Sequence, residues 1–309
     1  MHPLQLQSQS VAIERPQTGA GVISQLAVTC LAFVFCLGLV LRVHDWPISW
    51  PRYLAYLSAI SLFLVGAAFA FWAYCCARMR YVLAGDELII GWGWVQHRIP
   101  IRRIARLVSG RGENRIDMRG ISWWGHHVGR ARVAGIGEAL FFSTHRSPED
   151  VLYVQTPSLV YAISPQDPAR FAAALQRLRG AAGGAAGEAS AVRNWLAGHP
   201  LWGDRTAALL IAAAIALNVA LFGYLFAVYP GLHPQVSLEF PPLGDETVIG
   251  DKKELLKLPG TALALLALNL SAALTLHRLE RPLTYLLLGA SIFLQVAFWI
   301  GTAIAIKNA

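Results

Sequence analysis

The sequence predicts an α+β membrane protein with about five transmembrane α-helices and a small antiparallel β domain capped by a carboxyl-terminal amphipathic helix. Three observations lead to this fold class. Hydrophobic residues make up 55% of the chain and charged residues only 14%. Several apolar runs reach the roughly 20 residues needed to cross a bilayer. Between these runs lies a block, residues 78–180, that is rich in arginine and patterned like β-strands.

The apolar runs are interpreted as membrane spans because each carries charge only at its ends. None has the charged stripe of an amphipathic surface helix, which argues against buried helices of a large soluble protein. A polar stretch precedes the first run and no small-residue cleavage pattern follows it, so we expect this run to stay in the mature protein. The five predicted spans are 22–43, 54–77, 207–229, 260–277 and 283–306.

These spans divide the chain into five parts. The division follows the changes from apolar to polar composition, and the Gly/Ala-rich segment GAAGGAAGEASA predicts a flexible linker. The parts are a polar tail at 1–21, a two-helix transmembrane hairpin at 22–77, the β domain at 78–180, a flexible linker and interfacial segment at 181–204, and three transmembrane helices at 205–309 with an extracytoplasmic loop at 230–258.

The basic residues predict the orientation in the membrane. Residues 78–205 contain seventeen arginines and no lysine, and Arg278 and Arg281 lie in the short turn between the last two spans. With Arg15, this side holds 20 of the 26 basic residues. We therefore expect a cytoplasmic amino terminus and β domain and an extracytoplasmic carboxyl terminus. The expected interfacial aromatic anchors are Trp46, Trp50, Tyr53, Trp195 and Trp202.

The strands of the β block are predicted from short aliphatic and aromatic runs separated by turn signals. Gly85 and Asp86 separate the first two runs, 81–84 and 88–94, and so predict a hairpin. From Arg98 we expect one further strand, with apolar side chains on the face toward the core and arginines on the solvent-exposed face. After a less regular, glycine-rich passage at 110–137, strands are expected at 139–144, 151–156 and 159–163.

An amphipathic helix is predicted to close the β block. Ser164 is the expected cap, and Pro165 takes the first helical position. Phe171, Leu175 and Leu178 follow at spacings of i, i+4 and i+7, which places them on one face.

The order of these motifs resembles the bacterial pleckstrin-homology-like (PH) domain of multi-pass membrane proteins of uncharacterised function. The resemblance is carried by YVLAGDELIIGWG, HRIPIRRI, WWGHHVGRARVAGIGEALFFST and VLYVQTPSLVYAISPQDPARFAAAL, and after the third span by a histidine-containing strand, a Gly-Asp turn and the entry LLKLP. It implies a bacterial inner-membrane location and no catalytic residues. The outer loop departs from the pattern at Phe240-Pro241-Pro242, which weakens any ligand role for that loop.

One candidate contact site is visible, a basic face formed by Arg98, Arg102 and Arg106 and extended by Arg103. Beside an anionic leaflet each arginine would contribute about 1 kcal/mol of attraction. The same residues fit a contact with a protein partner, and an ordinary solvated strand face is the remaining alternative.

The sequence offers no catalytic residues, no metal site and no cofactor site. His126, His127 and His145 lack a suitably spaced carboxylate or cysteine, and His277 is read as an interfacial histidine. The four cysteines suggest no disulfide framework, and no nucleic-acid-binding module is recognisable despite the net charge of +8. The polar residues Asn218, Asn269 and Gln295 within the spans are expected to hydrogen-bond between helices.

Two functions remain open. The first is a non-enzymatic membrane scaffold or accessory subunit, whose PH-like domain contacts other membrane proteins at the cytoplasmic face of the lipid bilayer. The second is a lipid- or ligand-sensing membrane protein that uses the basic face or the outer loop. Neither hypothesis requires catalysis.

Overall fold

The computed structural model describes residues 12–109, 117–145, 150–181, 190–193, 199–237 and 249–307. The chain folds as two compact units. One contains Met1–Val34 and Phe63–Ala197, and the other contains Phe35–Leu62 and Gly198–Ala309. The first two long helices are therefore shared between the units.

Five helices of the described residues are long and apolar enough to cross a membrane, which confirms the predicted number of spans. Each begins a few residues before its predicted apolar run. A sixth helix, α3, is shorter and amphipathic. The helices are α1 (Gly19–Val43), α2 (Trp50–Ala77), α3 (Pro168–Ala181), α4 (Arg205–Val228), α5 (Lys257–Leu276) and α6 (Arg281–Lys307).

The strands of the described residues are β1 (Ala12–Glu14), β2 (Arg80–Ala84), β3 (Glu87–Trp92), β4 (Val95–Pro100), β5 (Arg106–Ser109), β6 (Asp117–Trp123), β7 (His126–Val133), β8 (Gly137–Ser143), β9 (Leu152–Gln155), β10 (Val160–Ile163), β11 (Ser190–Arg193), β12 (Gln235–Ser237) and β13 (Ile249–Asp251). The first sheet has the order β1-β2-β3-β4-β11 and the second the order β5-β9-β10-β8-β7-β6. All pairs are antiparallel except β8 with β10. The predicted α+β class, with a mainly antiparallel β domain, is confirmed.

The predicted hairpin is formed by β2 and β3. Gly85, at a φ of 60°, provides the left-handed backbone of the turn, and Leu83 pairs with Leu88 across it. Alternate residues then point inward, and Tyr81, Leu83, Leu88 and Ile90 are fully buried. These side chains form one wall of the main core.

The single strand expected from Arg98 is two strands, so this prediction was wrong. β4 ends at Pro100, a short 3-10 helix covers Ile101–Arg103, and β5 begins at Arg106. Asp86 accepts a hydrogen bond at its carbonyl from the backbone N–H of Ile101, at 2.7 Å, as the chain leaves the first sheet. Ile101 remains buried, so the apolar spacing was correct although the conformation was not.

A buried tyrosine links the first sheet to the second. The hydroxyl of Tyr81 donates to the carbonyl of Phe142 at 2.6 Å and accepts from the backbone N–H of Ser164 at 3.2 Å. Burial raises the pKa of Tyr81 to about 12, so the hydroxyl stays protonated at neutral pH. The two bonds hold the middle of β2 against the ends of β8 and β10.

Helix α3 closes the core as predicted, with Phe171 and Leu175 each 1% exposed. Its cap is different from the expected one. The carboxylate of Asp167 accepts from the N–H of Arg170 at 2.9 Å, and Pro168 takes the first helical position. Ser164, which directly follows β10, instead accepts from the N–H of Thr144 at 2.8 Å.

The passage at 110–137, predicted to be irregular, contains the two long strands β6 and β7. Gly120 and Gly129 face each other across this pair, and a Cβ on Gly120 would lie only 2.8 Å from the Cα of Gly129. The close approach requires glycine on both strands. Strands are predicted from alternating apolar and polar side chains. Glycine has no side chain, so the glycines within β6 and β7 interrupt that pattern.

Segments predicted to lack structure supply both edge strands of the first sheet. β1, from the polar tail, pairs with β2, and β11, from the predicted linker, pairs with β4. The other expectations for the tail, the linker, the interfacial segment and the outer loop fall on residues 1–11, 182–189, 194–198 and 238–248, which lie outside the described residues.

In the second unit, polar side chains join the carboxyl-terminal helices as predicted. Asn218 of α4 donates to Gln295 of α6 at 3.1 Å, and Gln295 donates to the carbonyl of Ala262 of α5 at 2.9 Å. Asn269 of α5 donates to Ser291 of α6 at 2.9 Å. In a membrane the lipid is as apolar as the helix side chains, so burying apolar side chains between helices gives little driving force. Interhelical hydrogen bonds of this kind therefore help to hold the helices together.

Replacing Phe171 with alanine should destabilise the β domain by about 3–5 kcal/mol, because it leaves a cavity under α3. Thermal unfolding of the full-length protein in detergent, followed by limited proteolysis of the β domain, measures the effect. Arg177→Ala on the exposed side of the same helix serves as the control. Equal losses in the two variants would contradict the assigned core.

Candidate functional site

The turn between β6 and β7 contacts the cytoplasmic-side ends predicted for α1 and α2. Gly125, with a φ of 70°, brings the turn against the first turns of α1. A Cβ on Gly125 would lie 2.6 Å from the backbone nitrogen of Gly21, and a Cβ on Gly21 would overlap the carbonyl of Gly125. Two glycines are therefore required where the β domain and the helix meet. We call residues Trp123–His126 and their contacts on α1 and α2 the docking site.

His126 is the buried centre of the docking site. Its side chain is fully buried, and its Nε2 atom accepts a hydrogen bond from the indole N–H of Trp92 at 2.9 Å. The side-chain Nε2 of Gln25, on α1, lies 2.8 Å from Nδ1. An indole N–H can only donate, so Nε2 of His126 is unprotonated and Nδ1 carries the proton of a neutral ring. A hydrogen bond from this Nδ1–H therefore requires the flipped orientation of the Gln25 amide, with Oε1 in the place of Nε2.

Burial keeps His126 neutral. Desolvation by burial, together with a smaller effect of the neighbouring His127, lowers its pKa from 6.5 to about 4. A protonated ring would also lose the hydrogen bond from Trp92, because Nε2 would become a donor. The docking site therefore depends on the uncharged form of this histidine.

Aromatic contacts surround these hydrogen bonds. Trp123 donates its indole N–H to Ser24 at 3.1 Å, and its ring packs edge-on against Phe69 of α2 at 4.8 Å between centroids. Trp94 packs edge-on against Phe71 and Tyr74, also on α2. The β domain thus holds both helices of the hairpin. The adjacent Trp124 is 77% exposed.

Trp94, Trp123 and Trp124 were not among the interfacial anchors predicted from the sequence. The pair Trp123-Trp124 directly before a Gly-His turn is the signal that could have indicated them, since tryptophan favours the membrane interface. Of the predicted anchors, Trp50 stacks on Tyr53, and the Tyr53 hydroxyl donates to the carbonyl of Val219 of α4 at 2.7 Å. These two residues therefore pack within the second unit. Trp195 and the side chain of Trp202 lie outside the described residues.

The four arginines of the predicted basic face do not share one strand. Arg98 is exposed on β4 of the first sheet, Arg102 and Arg103 lie in the 3-10 helix, and Arg106 is exposed on β5 of the second sheet. Arg103 is half-buried. The chain crosses from one sheet to the other between them, so Arg98 and Arg106 belong to different sheets.

The histidines considered for metal binding are separated by the strand pleat. His126 and His127 are consecutive on β7, so their side chains point to opposite faces, and His127 lies 3.3 Å from the hydroxyl of Ser122. Within the described ranges, no three histidine, cysteine, aspartate or glutamate side chains are grouped as a metal site.

A second polar cluster lies in the second unit, where α4 begins. Asp204 caps α4 by accepting from the N–H of Ala207 at 3.1 Å, and it accepts from the hydroxyl of Tyr285 at 2.5 Å. The bond from Tyr285 is the main cause that lowers the pKa of Asp204 below its usual value. His277, predicted to be interfacial, directly follows α5, and its side chain is fully buried 3.6 Å from Asp204. This cluster joins all three carboxyl-terminal helices, which gives it a structural role.

Comparison with known proteins identifies the β domain. The family model described as Bacterial PH domain matches residues 79–179, which are the strands β2 to β10 and nearly all of α3. No curated protein and no solved structure matches the chain. The resemblance noted from the sequence motifs is confirmed for this segment.

Replacing Gln25 with leucine should loosen the docking site, because the buried Nδ1–H of His126 loses its acceptor at a cost of about 1–3 kcal/mol. Hydrogen exchange of the β6–β7 turn in the full-length protein measures the loosening. Leu26→Ala, at an exposed neighbouring position of α1, is the control and should leave exchange unchanged. Unchanged exchange in Gln25→Leu would show that the hydrogen bond does not hold the domain.

Acidification should also loosen the docking site. The docked His126 has a pKa of about 4, whereas an undocked, solvated histidine keeps its ordinary value of 6.5. The stabilisation is therefore complete above pH 6.5 and is lost as the pH falls from 6.5 toward 4, because the undocked form binds the proton first. Exchange of the turn should rise over this range, and His126→Asn should lose most of that dependence. A wild-type response that His126→Asn retains in full would assign the effect to His127 or another group.

Proposed function

We propose that this membrane protein, in which residues 79–179 form a bacterial PH domain, is a non-enzymatic scaffold or accessory subunit. The observation that carries the proposal is the way the domain is held. Gln25, His126 and Trp92 join α1 to the β domain through buried hydrogen bonds. A domain held in this way presents its remaining surface in a fixed direction, which suits a platform for partner proteins.

The surface best suited to a partner is the outward face of the first sheet. Ile13, Val82 and Ile89 follow one another across β1, β2 and β3 in a single register row, and Arg98 on β4 continues that row. Ile13 is 59% exposed, and Val82 and Ile89 are half-buried. We call these four residues the outer row. An apolar row ending in a cation combines features found in protein interfaces, where arginine is enriched.

Charge indicates the kind of partner. Arg80 lies one position further along β2 on the same outward face and is exposed. Within the described part of the chain, no carboxylate forms an ion pair with Arg80 or Arg98. A partner segment that carries both apolar and acidic side chains would match this face. We therefore expect a membrane protein with such a segment on the side of the PH domain.

Binding to the face is favoured over pairing with a sheet edge. Within the described residues, the edge strands of the first sheet, β1 and β11, span three and four residues. Short edge strands offer few free backbone groups to an added strand. The outer row, by contrast, runs across four strands.

Charge reversal at two matched arginines separates the scaffold from the lipid sensor. Arg98→Glu and Arg106→Glu change the net charge equally, but only Arg98 belongs to the outer row. The full-length variants are expressed in native membranes, crosslinked, and purified in mild detergent. Arg98→Glu should lower partner recovery by about tenfold or more, since like charges placed together at an interface cost several kcal/mol.

Arg106→Glu should retain the partner of the wild-type protein. Equal loss in both variants would favour general attraction to an anionic leaflet and would contradict the scaffold proposal. A wild-type protein that crosslinks to nothing and purifies alone would contradict it as well. Membrane extraction and thermal stability of each variant show whether the fold is intact.

A further inference from the structure

We propose that a groove between α2 and the PH domain binds one acyl chain of a bilayer phospholipid. The groove has a volume of about 580 Å³, which is within the range of roughly 300–1,000 Å³ typical of small-molecule sites. It lies inside the first unit, next to the docking site. The side chains that define it are Phe69, Trp72, Trp92, Ile121, Trp123 and Val128.

The chemistry of the groove fits a hydrocarbon chain. Its lining side chains are aromatic or aliphatic except for Ser122, and none is charged. The indole N–H groups of Trp92 and Trp123 are already bonded to His126 and Ser24. These donors therefore do not need water or a polar ligand in the groove. An apolar chain can fill the space without leaving those two donors unpaired.

The position of the groove determines which apolar molecule is available. Phe69 and Trp72 belong to α2, whose 28 residues exceed the roughly 20 needed to cross the hydrocarbon core. If the core is centred on α2, about four residues extend beyond it at each end. Phe69 and Trp72 then lie just inside the boundary between acyl chains and headgroups.

The groove is continuous with the lipid-facing surface of α2. Val65 lies one turn before Phe69 on the same helix face and is 45% exposed. A chain that lies along Val65 in the bilayer can therefore extend past Phe69 and reach Ile121 and Val128 of the PH domain. This continuity favours a membrane lipid over a soluble ligand.

The consequence is a lipid shared between a spanning helix and the PH domain. An acyl chain in this position adds apolar contact beside the hydrogen bonds of His126. The inference is independent of the scaffold proposal, because the groove and the outer row are different surfaces of the PH domain. Either can fail without the other.

Photocrosslinking in a bilayer tests the proposal. The full-length protein is reconstituted in vesicles of phosphatidylethanolamine and phosphatidylglycerol that contain phosphatidylglycerol with a diazirine in the middle of one acyl chain. After illumination, the modified residues are mapped by mass spectrometry. We expect adducts on Ile121, Trp123 or Val128 in addition to those on the spanning helices. Adducts confined to the spanning helices would overturn the proposal.

Two comparisons make the result specific. Ile121→Trp fills the groove and should abolish the adducts on Trp123 and Val128. Ile136→Trp makes the same change at another half-buried isoleucine, between β7 and β8 and outside the groove, and should leave those adducts unchanged. A lipid with the diazirine in its headgroup should not label Ile121 or Val128 in the wild-type protein. Persistent adducts in Ile121→Trp, or equal labelling by the headgroup probe, would each contradict acyl-chain binding.

Discussion

The hydrogen bonds of one buried histidine hold the PH domain on its membrane helix. His126 accepts from Trp92 within the domain and faces Gln25 on α1, so a single ring connects a strand to a spanning segment. In this dry environment an unpaired amide or indole N–H would cost several kcal/mol. The pairing therefore gives both ring nitrogens of His126 a partner and favours one orientation of the domain. The glycine contact between Gly21 and Gly125 makes that approach sterically possible.

The docked orientation gives the two sheets different surroundings. The β6–β7 end of the second sheet lies against α1 and α2, where the apolar groove opens. The outward face of the first sheet carries the outer row and remains accessible. A protein partner and a lipid chain would thus use separate surfaces of one small domain. Neither role requires a nucleophile, a metal or a cofactor.

The second unit uses polar groups in the same way. Asn218 and Gln295 join α4, α5 and α6 in the apolar interior, and Asp204 joins the beginning of α4 to Tyr285 and His277. Asn218 and Gln295 would be costly in hydrocarbon without a partner, so their hydrogen bonds satisfy polar groups and join the helices at the same time. Both units therefore place few polar residues inside, and each of those named here contacts another element.

Much of the candidate site could not have been predicted from local patterns. The amphipathic spacing of Phe171 and Leu175 indicated the core face of α3, and the pair Gly85-Asp86 indicated the hairpin, because both depend only on neighbouring residues. Arg98 and Arg106 suggested one basic face, but the 3-10 helix between them sends them to different sheets. His126 looked like a solvated or structural histidine. Its role depends on Gln25, which lies 101 positions away in the chain.

The sequence by itself determined the five spans, the amphipathic helix, and the family of the segment between them. Apolar length, periodicity and motif order are properties of contiguous residues and do not depend on how distant segments meet. Only the tertiary structure decided that β6 and β7 are strands, that the tail and the linker supply edge strands to the first sheet, and that His126 faces the membrane helix. These features depend on backbone hydrogen bonds and buried contacts between segments that are distant in the chain. The energies of such contacts cannot be predicted from local sequence patterns.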